Sequence, residues 1–208
     1  MKVKKLLYGV GINDADYVVQ RKETVGYVDG KQKLIWICPF YKTWTNMIKR
    51  CYSIKTQNNQ PTYIGCTVSD EWLTFSVFKK WMESQYWEGK QLDKDLLVEG
   101  NKVYSPETCV FVTRMVNNFT TDRGNDRGEF LIGVIWYKPI EKFISQCSNP
   151  FTKKKENLGY FTSEQEAHEA WTKRKLELAY ELAAIQTDTR VAKALISRYS
   201  NYSNKVSK

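Results

Sequence analysis

The sequence predicts an α+β protein made of two small modules joined by a linker. In the first half of the chain, apolar residues recur at helical spacing between short strand-like runs. A polar, glycine-containing segment at 121–129 predicts the linker, and beyond it the apolar pattern changes to a period of two. The length of 208 residues suits one large domain or two small ones. We therefore place the first module at 1–120 and the second at 130–185, with a basic tail at 186–208.

The N-terminal module begins with strand-like sequence. A turn is expected at Gly26–Gly30, and an apolar run follows at Leu34–Ile37. Pro39 then predicts the start of a helix, because proline fits the first turn and apolar residues follow it at helical spacing. The apolar positions of this helix are Phe40, Trp44, Met47, Ile48 and Cys51. The polar segment Ser53–Pro61 predicts a loop.

A second helix is expected to begin at Ser69 or Asp70, since either side chain can cap the free amide groups of a first turn. One face of this helix is aromatic and predicts core packing. Its members are Trp72, Phe75, Phe78 and Met82, with Trp81 beside them. Leu92–Val112 then has the pattern of an interrupted hairpin, and Arg114–Phe119 is predicted to be helical.

Beyond the linker, three antiparallel strands and one long helix are predicted. The strands are expected at Leu131–Lys138, Lys142–Cys147 and Asn157–Phe161. Ser163 and Glu166 form a capping box for a helix that runs to about Ala184. The tail adds a short basic amphipathic stretch and a frayed end.

The chain carries a formal charge of +9, which favours a polyanionic partner because Lys and Arg release counterions when they neutralise phosphates. A basic surface kept for solubility is the alternative. No apolar run approaches the roughly 20 residues that cross a bilayer, and the N-terminal apolar run is too short for a secretory signal. We expect no membrane partner and a cytoplasmic location.

Cysteine and histidine usage limits the chemistry further. The five cysteines are Cys38, Cys51, Cys66, Cys109 and Cys147. Their odd number and wide spacing predict reduced thiols, although a zinc site drawn from the first four is an alternative. His168 is the one histidine in the chain, so mechanisms that need two histidines are excluded. It lies one step off the apolar stripe of its helix, which predicts a surface or boundary position.

The predicted C-terminal sheet has one face free of the helix. Alternation directs Val134, Trp136 and Phe143 toward the helix. The opposite face then carries Tyr137, Gln146 and Ser148, with Lys138 and Lys142 at the strand ends. Such a polar, aromatic and basic face suits the major groove of double-stranded DNA.

This module resembles the AP2 DNA-binding domain, in the version attached to phage and homing endonucleases. The resemblance covers about 55 residues. It rests on Gly133–Lys138, Lys142–Phe143, Leu158–Phe161 and Glu164–Trp171. A longer turn at Asn149–Lys155 departs from the compact versions and adds a basic loop with Lys153, Lys154 and Lys155. The resemblance implies double-stranded DNA as the partner. A sheet–helix module for protein contacts is the alternative.

The N-terminal module is similar to phage HNH endonucleases of the ββα-metal type. The similarity begins at Trp44–Tyr52 and Tyr63–Phe78 and continues through a degenerate motif at about 92–118. In that family an Asp or His binds a divalent metal, the next His is the general base, an Asn orients that His, and a later His or Asn completes the metal site.

The resemblance makes Asp93 and Asn117 candidate ligands of Mg²⁺ or another divalent cation. Lys94 stands in place of the base histidine, and Thr108 stands in place of the orienting asparagine. Lys94 would need its pKa lowered by about 3 units to act as a base near neutral pH, and the neighbouring aspartates oppose that. A metal-bound water without a protein base is another route. The segment is otherwise explained as a turn with a surface ion pair, with Asn101 as a left-handed turn residue.

Two functions follow. The first is a double-stranded DNA-binding protein of phage HNH/AP2 type whose nuclease chemistry is lost or weak. It would act by occupancy in a bacterial cytoplasm, as a regulator or as an inhibitor of a host enzyme. The second is a divergent, metal-dependent HNH nicking or homing endonuclease that uses Asp93, Lys94 and Asn117, with Asp95 as a further candidate at the metal. An RNA or protein interaction module is a third, weaker alternative.

Overall fold

A computed structural model describes residues 6–24, 32–121 and 129–206, with side chains up to residue 200. The fold is α+β, as predicted, and divides into two compact units, Met1–Phe111 and Val112–Lys208. The predicted turn at Gly26–Gly30 and residues 122–128 of the predicted linker lie outside the described residues. Among the described helices, none has the length and apolar character needed to cross a membrane.

The described residues of the first unit form short strands and three α-helices. Its strands are β1 (Gln20–Thr24), β2 (Gln32–Ile37), β3 (Thr67–Val68), β4 (Gln91–Asp93), β5 (Val103–Tyr104) and β6 (Val110–Val112, which ends at the boundary). Its helices are α1 (Pro39–Tyr52), α2 (Ile54–Asn59) and α3 (Phe75–Glu83). The strands pair two by two, β1 with β2, β3 with β5 and β4 with β6.

Helix α1 confirms the predicted proline start and the predicted apolar stripe. Trp44, Met47, Ile48 and Cys51 are buried in the core, and Phe40 is partly buried against it. The indole Nε1 of Trp44 donates to the carbonyl oxygen of Trp72 at 2.7 Å, so a core side chain with a polar atom is satisfied. The loop predicted after α1 is wrong over α2, because the Ser53 side chain accepts from the amide of Thr56 and caps a further helical turn.

The second predicted helix is interrupted at Thr74. A 3-10 turn at Asp70–Leu73 precedes α3. The amide of Ile12 donates to the carbonyl oxygen of Leu73 at 2.8 Å, and the amide of Phe75 donates to the carbonyl oxygen of Ile12 at 3.0 Å. This pairing with an earlier segment occupies the backbone that a continuous helix would need. Neither predicted cap is used, and Asp14 instead accepts from the amide of Ser76 at 2.9 Å.

The segment predicted as one hairpin contributes to two different sheets. β5 pairs in parallel with β3, while β4 pairs with β6. The pairing with β3 is long-range, so the local pattern of Leu92–Val112 holds no signal for it.

Where the structure describes the second unit, it has a three-stranded antiparallel sheet and three α-helices. The sheet order is β7 (Val134–Tyr137), β8 (Lys142–Ser148), β9 (Lys155–Phe161). The helices are α4 (Arg114–Thr120), α5 (Glu164–Ala184) and α6 (Thr189–Val206). The strand and long-helix predictions are confirmed with shifted ends, and the Ser163–Glu166 capping box is present.

Helix α5 covers one face of this sheet. Ala167, Trp171 and Leu178 are buried along it. A Cβ on Gly133, which has a φ of +82°, would lie 2.0 Å from Cδ1 of Trp171, so only glycine lets the first strand approach the indole. The same helix buries His168, whose Nδ1 donates to the carbonyl oxygen of Ile132 at 2.9 Å. The predicted surface or boundary position of His168 is wrong, because the chain before β7 covers that side of α5.

Helices α4 and α6 belong to the same unit. Within the predicted basic tail, Thr189–Val206 form α6, with Val191, Leu195 and Tyr199 buried. The hydroxyl of Tyr199 donates to the carbonyl oxygen of Phe119 at 2.8 Å, and Lys175 Nζ donates to the same oxygen at 3.0 Å. Burial lowers the pKa of Lys175 to about 8, while its ammonium group lies 3.5 Å from the centre of the Phe119 ring.

The approach of Gly133 to Trp171 gives a direct test of the sheet–helix packing. Gly133→Ala is expected to lower the free energy of unfolding by about 2–5 kcal/mol, because left-handed strain and overpacking add. Gly100→Ala is the control, since Gly100 has a φ of +76° with open space around it, and strain alone costs about 1–2 kcal/mol there. Urea unfolding measures both changes, and hydrogen exchange of α5 peptides locates the loss. Equal losses in the two variants would contradict the packing.

Candidate nucleic-acid interface

Strand register divides the side chains of the C-terminal sheet between two faces. Trp136 pairs with Phe143, and Val134 pairs with Ser145. Residues directly opposite each other share a face, and neighbours along a strand alternate. The face toward α5 carries Val134, Trp136, Phe143, Ser145, Cys147, Glu156 and Phe161.

We call the opposite side of the sheet the open face. It carries Ile135, Tyr137, Lys142, Ile144, Gln146, Ser148, Lys155, Asn157 and Tyr160. The register shifts between Ser145 and Gln146, where Leu158 is the extra residue on β9. Because of this bulge, Gln146 pairs with Asn157 and Ser148 pairs with Lys155 on the open face.

The structure brings together the predicted strand residues of the interface. Tyr137 pairs directly with Lys142, and both are exposed. Gln146 is half-buried and Ser148 is exposed further along β8. Lys138 lies in the 3-10 turn Lys138–Ile140 that joins the two strands.

Sequence reasoning missed Tyr160. Its ring centre lies 6.0 Å from that of Tyr137, so the two phenols form an exposed aromatic pair across the sheet. Tyr160 is 48% exposed, so about half of the residue is accessible to a partner. Alternation counted back from the apolar Phe161 would have placed Tyr160 on the open face.

Trp136 is less buried than its predicted packing against α5 requires. It lies on the α5 side of the sheet but is 39% exposed, and its ring centre is 4.8 Å from that of Phe143. β7 is an edge strand, so the helix covers this side only in part. Trp171 packs beside Gly133 instead.

The basic loop is ordered by Asn149. Its Oδ1 accepts from the amides of Phe151 and Thr152 at 2.8 and 3.1 Å. Its backbone amide donates to the carbonyl oxygen of Lys154 at 2.9 Å. Lys153 adopts a left-handed φ of 59° within this turn. The ammonium groups of Lys153, Lys154 and Lys155 therefore extend from a fixed backbone, and all three residues are exposed.

Glu156 ties this loop to α5. Nε and Nη2 of Arg174 contact its carboxylate at 2.7 and 3.2 Å, and Nδ2 of Asn149 donates to it at 2.7 Å. These hydrogen bonds, from Arg174 first and Asn149 second, lower the pKa of Glu156. The carboxylate that follows the three lysines is thus paired on the α5 side, and the open face keeps its positive charge.

Asp93, the predicted first metal ligand, holds a turn in the first unit. Its Oδ1 accepts from the amides of Asp95 and Leu96 at 3.0 and 2.8 Å. Burial raises the pKa of Asp93, the negative charge of Asp95 raises it further, and the two amides act in the opposite direction. One carboxylate oxygen is therefore already used by the backbone.

Lys94 occupies a structural position. Its Nζ donates to the carbonyl oxygen of Asn101 at 2.8 Å and lies 3.3 Å from Oδ2 of Asp95, with only 8% of the side chain exposed. Asn101 returns a hydrogen bond from Nδ2 to the carbonyl oxygen of Lys94 at 2.6 Å. The predicted turn and ion pair are present, although the lysine is buried. Asn101 is not the left-handed residue, because the positive φ belongs to Gly100.

Thr108 also serves the local backbone. Its Oγ1 donates to the carbonyl oxygen of Val103 at 2.8 Å and lies 3.1 Å from Oγ of Ser105. Asn117, the predicted second metal ligand, lies in α4 and so belongs to the second unit.

The donors near Asp93 do not fit a preformed site for a divalent cation. One carboxylate oxygen of Asp93 accepts hydrogen bonds from two amides, and the carboxylate of Asp95 forms an ion pair with the Lys94 ammonium. Within the part of the chain that the structure describes, no group of three or more His, Cys, Asp or Glu side chains could hold a metal ion. The five cysteines are free and buried, and no three of these described side chains lie together as the zinc alternative requires.

Comparison of the chain with protein-family models, curated proteins and solved structures finds no match.

The turn at Asp93 makes a prediction about its two nearest substitutions. Asp93→Asn keeps the Oδ1 acceptor and removes the half-buried charge, whereas Asp93→Ala removes both. The Ala variant is expected to be less stable than the Asn variant by about 1 kcal/mol, the typical cost of a lost capping acceptor. Urea unfolding at about pH 7 measures this difference.

The raised pKa of Asp93 fixes the sign of the pH dependence. The native carboxyl group holds its proton to a higher pH than the unfolded one, so its contribution to stability is favourable at low pH. That contribution is lost as pH rises through the native pKa. Asp93→Asn is therefore expected to equal or exceed the wild type at about pH 7, with an advantage that shrinks toward about pH 4. An Asn variant as unstable as the Ala variant would contradict this account.

Proposed function

We propose that this protein binds double-stranded DNA through the open face of the β7–β9 sheet. The observation that carries the proposal is the shared face itself. Tyr137, Lys142, Gln146, Ser148 and Lys155 come from three strands and lie on the one side of the sheet that α5 does not cover. A narrow β-sheet surface of this kind fits the major groove, which is about 12 Å wide.

The chemistry of the open face matches the parts of a duplex. The lysines at its edges supply charge for phosphates, and Gln146 and Ser148 can donate to and accept from base edges. The Tyr137–Tyr160 pair offers exposed aromatic surface between them. The lysines are Lys138, Lys142, Lys153, Lys154 and Lys155.

Preorganisation of the basic loop supports the same conclusion. Asn149 fixes the loop backbone through its own hydrogen bonds, and the Arg174–Glu156 pair holds the start of β9 to α5. Backbone ordering therefore costs little when phosphates bind.

We further propose that nuclease chemistry is lost or weak and that the protein acts by occupying DNA, as a phage HNH/AP2-type protein in a bacterial cytoplasm would. The Lys94 ammonium donates to the carbonyl oxygen of Asn101 and forms an ion pair with Asp95. One carboxylate oxygen of Asp93 accepts hydrogen bonds from two backbone amides. These contacts favour structural roles over proton transfer and metal binding.

DNA binding through the open face predicts a charge-specific loss of affinity. Lys142→Gln with Lys155→Gln is expected to weaken duplex binding by about tenfold or more and to reduce the salt slope by about 2, one for each phosphate contact. The matched control is Lys173→Gln with Lys193→Gln, which removes two exposed lysines from α5 and α6 of the same unit. Fluorescence anisotropy with a labelled duplex over a salt series measures both.

The control separates a specific surface from net charge. Equal losses in the two double variants would mean that positive charge alone drives binding. An unchanged affinity and salt slope in the Lys142/Lys155 variant would reject the open face as the interface.

Loss of nuclease chemistry predicts absent or slow nicking of supercoiled plasmid in Mg²⁺ or Mn²⁺. Asp93→Asn is the control variant because it keeps the turn at Asp93, and Asp93→Ala serves as a second control. Gel electrophoresis of the plasmid over time measures the conversion to open circles. Metal-dependent nicking by the wild type that disappears in both variants would overturn the proposal and favour a divergent HNH nicking enzyme.

A further inference from the structure

The first unit carries a two-stranded ribbon, formed by β1 and β2, that lies outside the core. Its base is anchored by Val19 and Cys38, which are buried and joined by a hydrogen bond of 2.8 Å from the Cys38 amide to the Val19 carbonyl. Beyond that base, all five residues of β1 and the first five of β2 are exposed. The ribbon therefore extends from the core with both of its faces uncovered.

Apolar side chains are exposed on this ribbon. Leu34, Ile35 and Trp36 are 46%, 48% and 44% exposed. A two-stranded hairpin is at best marginally stable in water without further packing. Three consecutive large apolar residues on such a ribbon point to a surface that a partner covers.

The charge of the ribbon specifies that partner. The described strands carry three cationic residues, Arg21, Lys22 and Lys33, and one acidic residue, Glu23, which pairs directly with Lys33, so the ribbon keeps a net positive charge. Arg21 pairs directly with Trp36, and its guanidinium carbon lies 5.8 Å from the centre of the indole. Cationic side chains among apolar ones complement the phosphates and base edges of double-stranded DNA. The shape also fits, because the major groove admits a two-stranded β-ribbon.

We propose that the β1–β2 ribbon is a second DNA-contacting element, in which Arg21, Lys22 and Lys33 bind phosphates and Trp36 contacts the groove. This inference rests on the proposed DNA binding and adds a separate surface to it. Each of the two units then carries one duplex-binding surface of its own.

The experiment uses two ribbon variants of the full chain and the same labelled duplex. Arg21→Gln with Lys22→Gln and Lys33→Gln is expected to reduce the salt slope by about 3 and the affinity by about tenfold or more. Its matched control removes three exposed lysines from the helices of the same unit, as Lys49→Gln with Lys55→Gln and Lys80→Gln. All six side chains are exposed or project from the ribbon, so folding is preserved and circular dichroism checks it.

Trp36→Ala tests the apolar part of the contact. It is expected to weaken duplex binding severalfold without a change in salt slope, because an indole neutralises no phosphate. Tyr86→Ala is the control, since Tyr86 is an 87% exposed aromatic residue elsewhere in the same unit.

The outcomes separate this inference from the function on which it rests. A reduced slope in the charge variant, together with reduced affinity in Trp36→Ala and unchanged controls, supports the ribbon. Wild-type binding by the ribbon variants, with weakened binding by Lys142→Gln/Lys155→Gln, would overturn the ribbon alone and favour a protein partner for it. No duplex binding by the wild type at low salt would overturn both proposals.

Discussion

The packing of α5 against one side of a three-stranded sheet is the constraint on which this account depends. Trp171 approaches Gly133 so closely that a side chain at that position would overlap the indole. With one face of the sheet closed in this way, the polar and aromatic residues of alternate positions are left on the other. Unbroken alternation along β8 places Gln146 and Ser148 on that side, and the bulge at Leu158 of β9 brings Asn157 and Lys155 opposite them. The candidate interface is therefore a consequence of how the core closes.

Local sequence signals predicted those elements whose causes are local. The Ser163–Glu166 capping box and the proline start of α1 depend on neighbouring residues, and both are present in the structure. Local sequence signals did not predict the secondary structure where hydrogen bonds to a distant segment determine it. Ile12 and Asp14 interrupt the helix expected near Thr74, and β3 takes β5 as a parallel partner. The apolar periodicity within one segment cannot predict hydrogen bonds to another segment far away in the chain.

The same distinction applies to the candidate sites. Alternation was sufficient to place Tyr137, Gln146 and Ser148 together, because a strand has only two faces. The role of the motif around Asp93 was harder to predict, because an aspartate that binds a metal and an aspartate that stabilises a turn look the same in a sequence. The hydrogen bonds of Asp93 and Lys94 to nearby backbone groups favour the second role. His168 illustrates a related limit, because its burial depends on the chain segment that precedes β7.

The most direct test of the central claim is a lysine-acetylation footprint of the full chain with and without duplex DNA, analysed by mass spectrometry. Lys142, Lys153 and Lys155 are expected to lose reactivity when duplex is bound. Lys173 and Lys193, which are exposed on α5 and α6, are expected to keep their reactivity. Protection of the helix lysines while the sheet lysines stay reactive would contradict the claim that the uncovered side of the sheet contacts DNA.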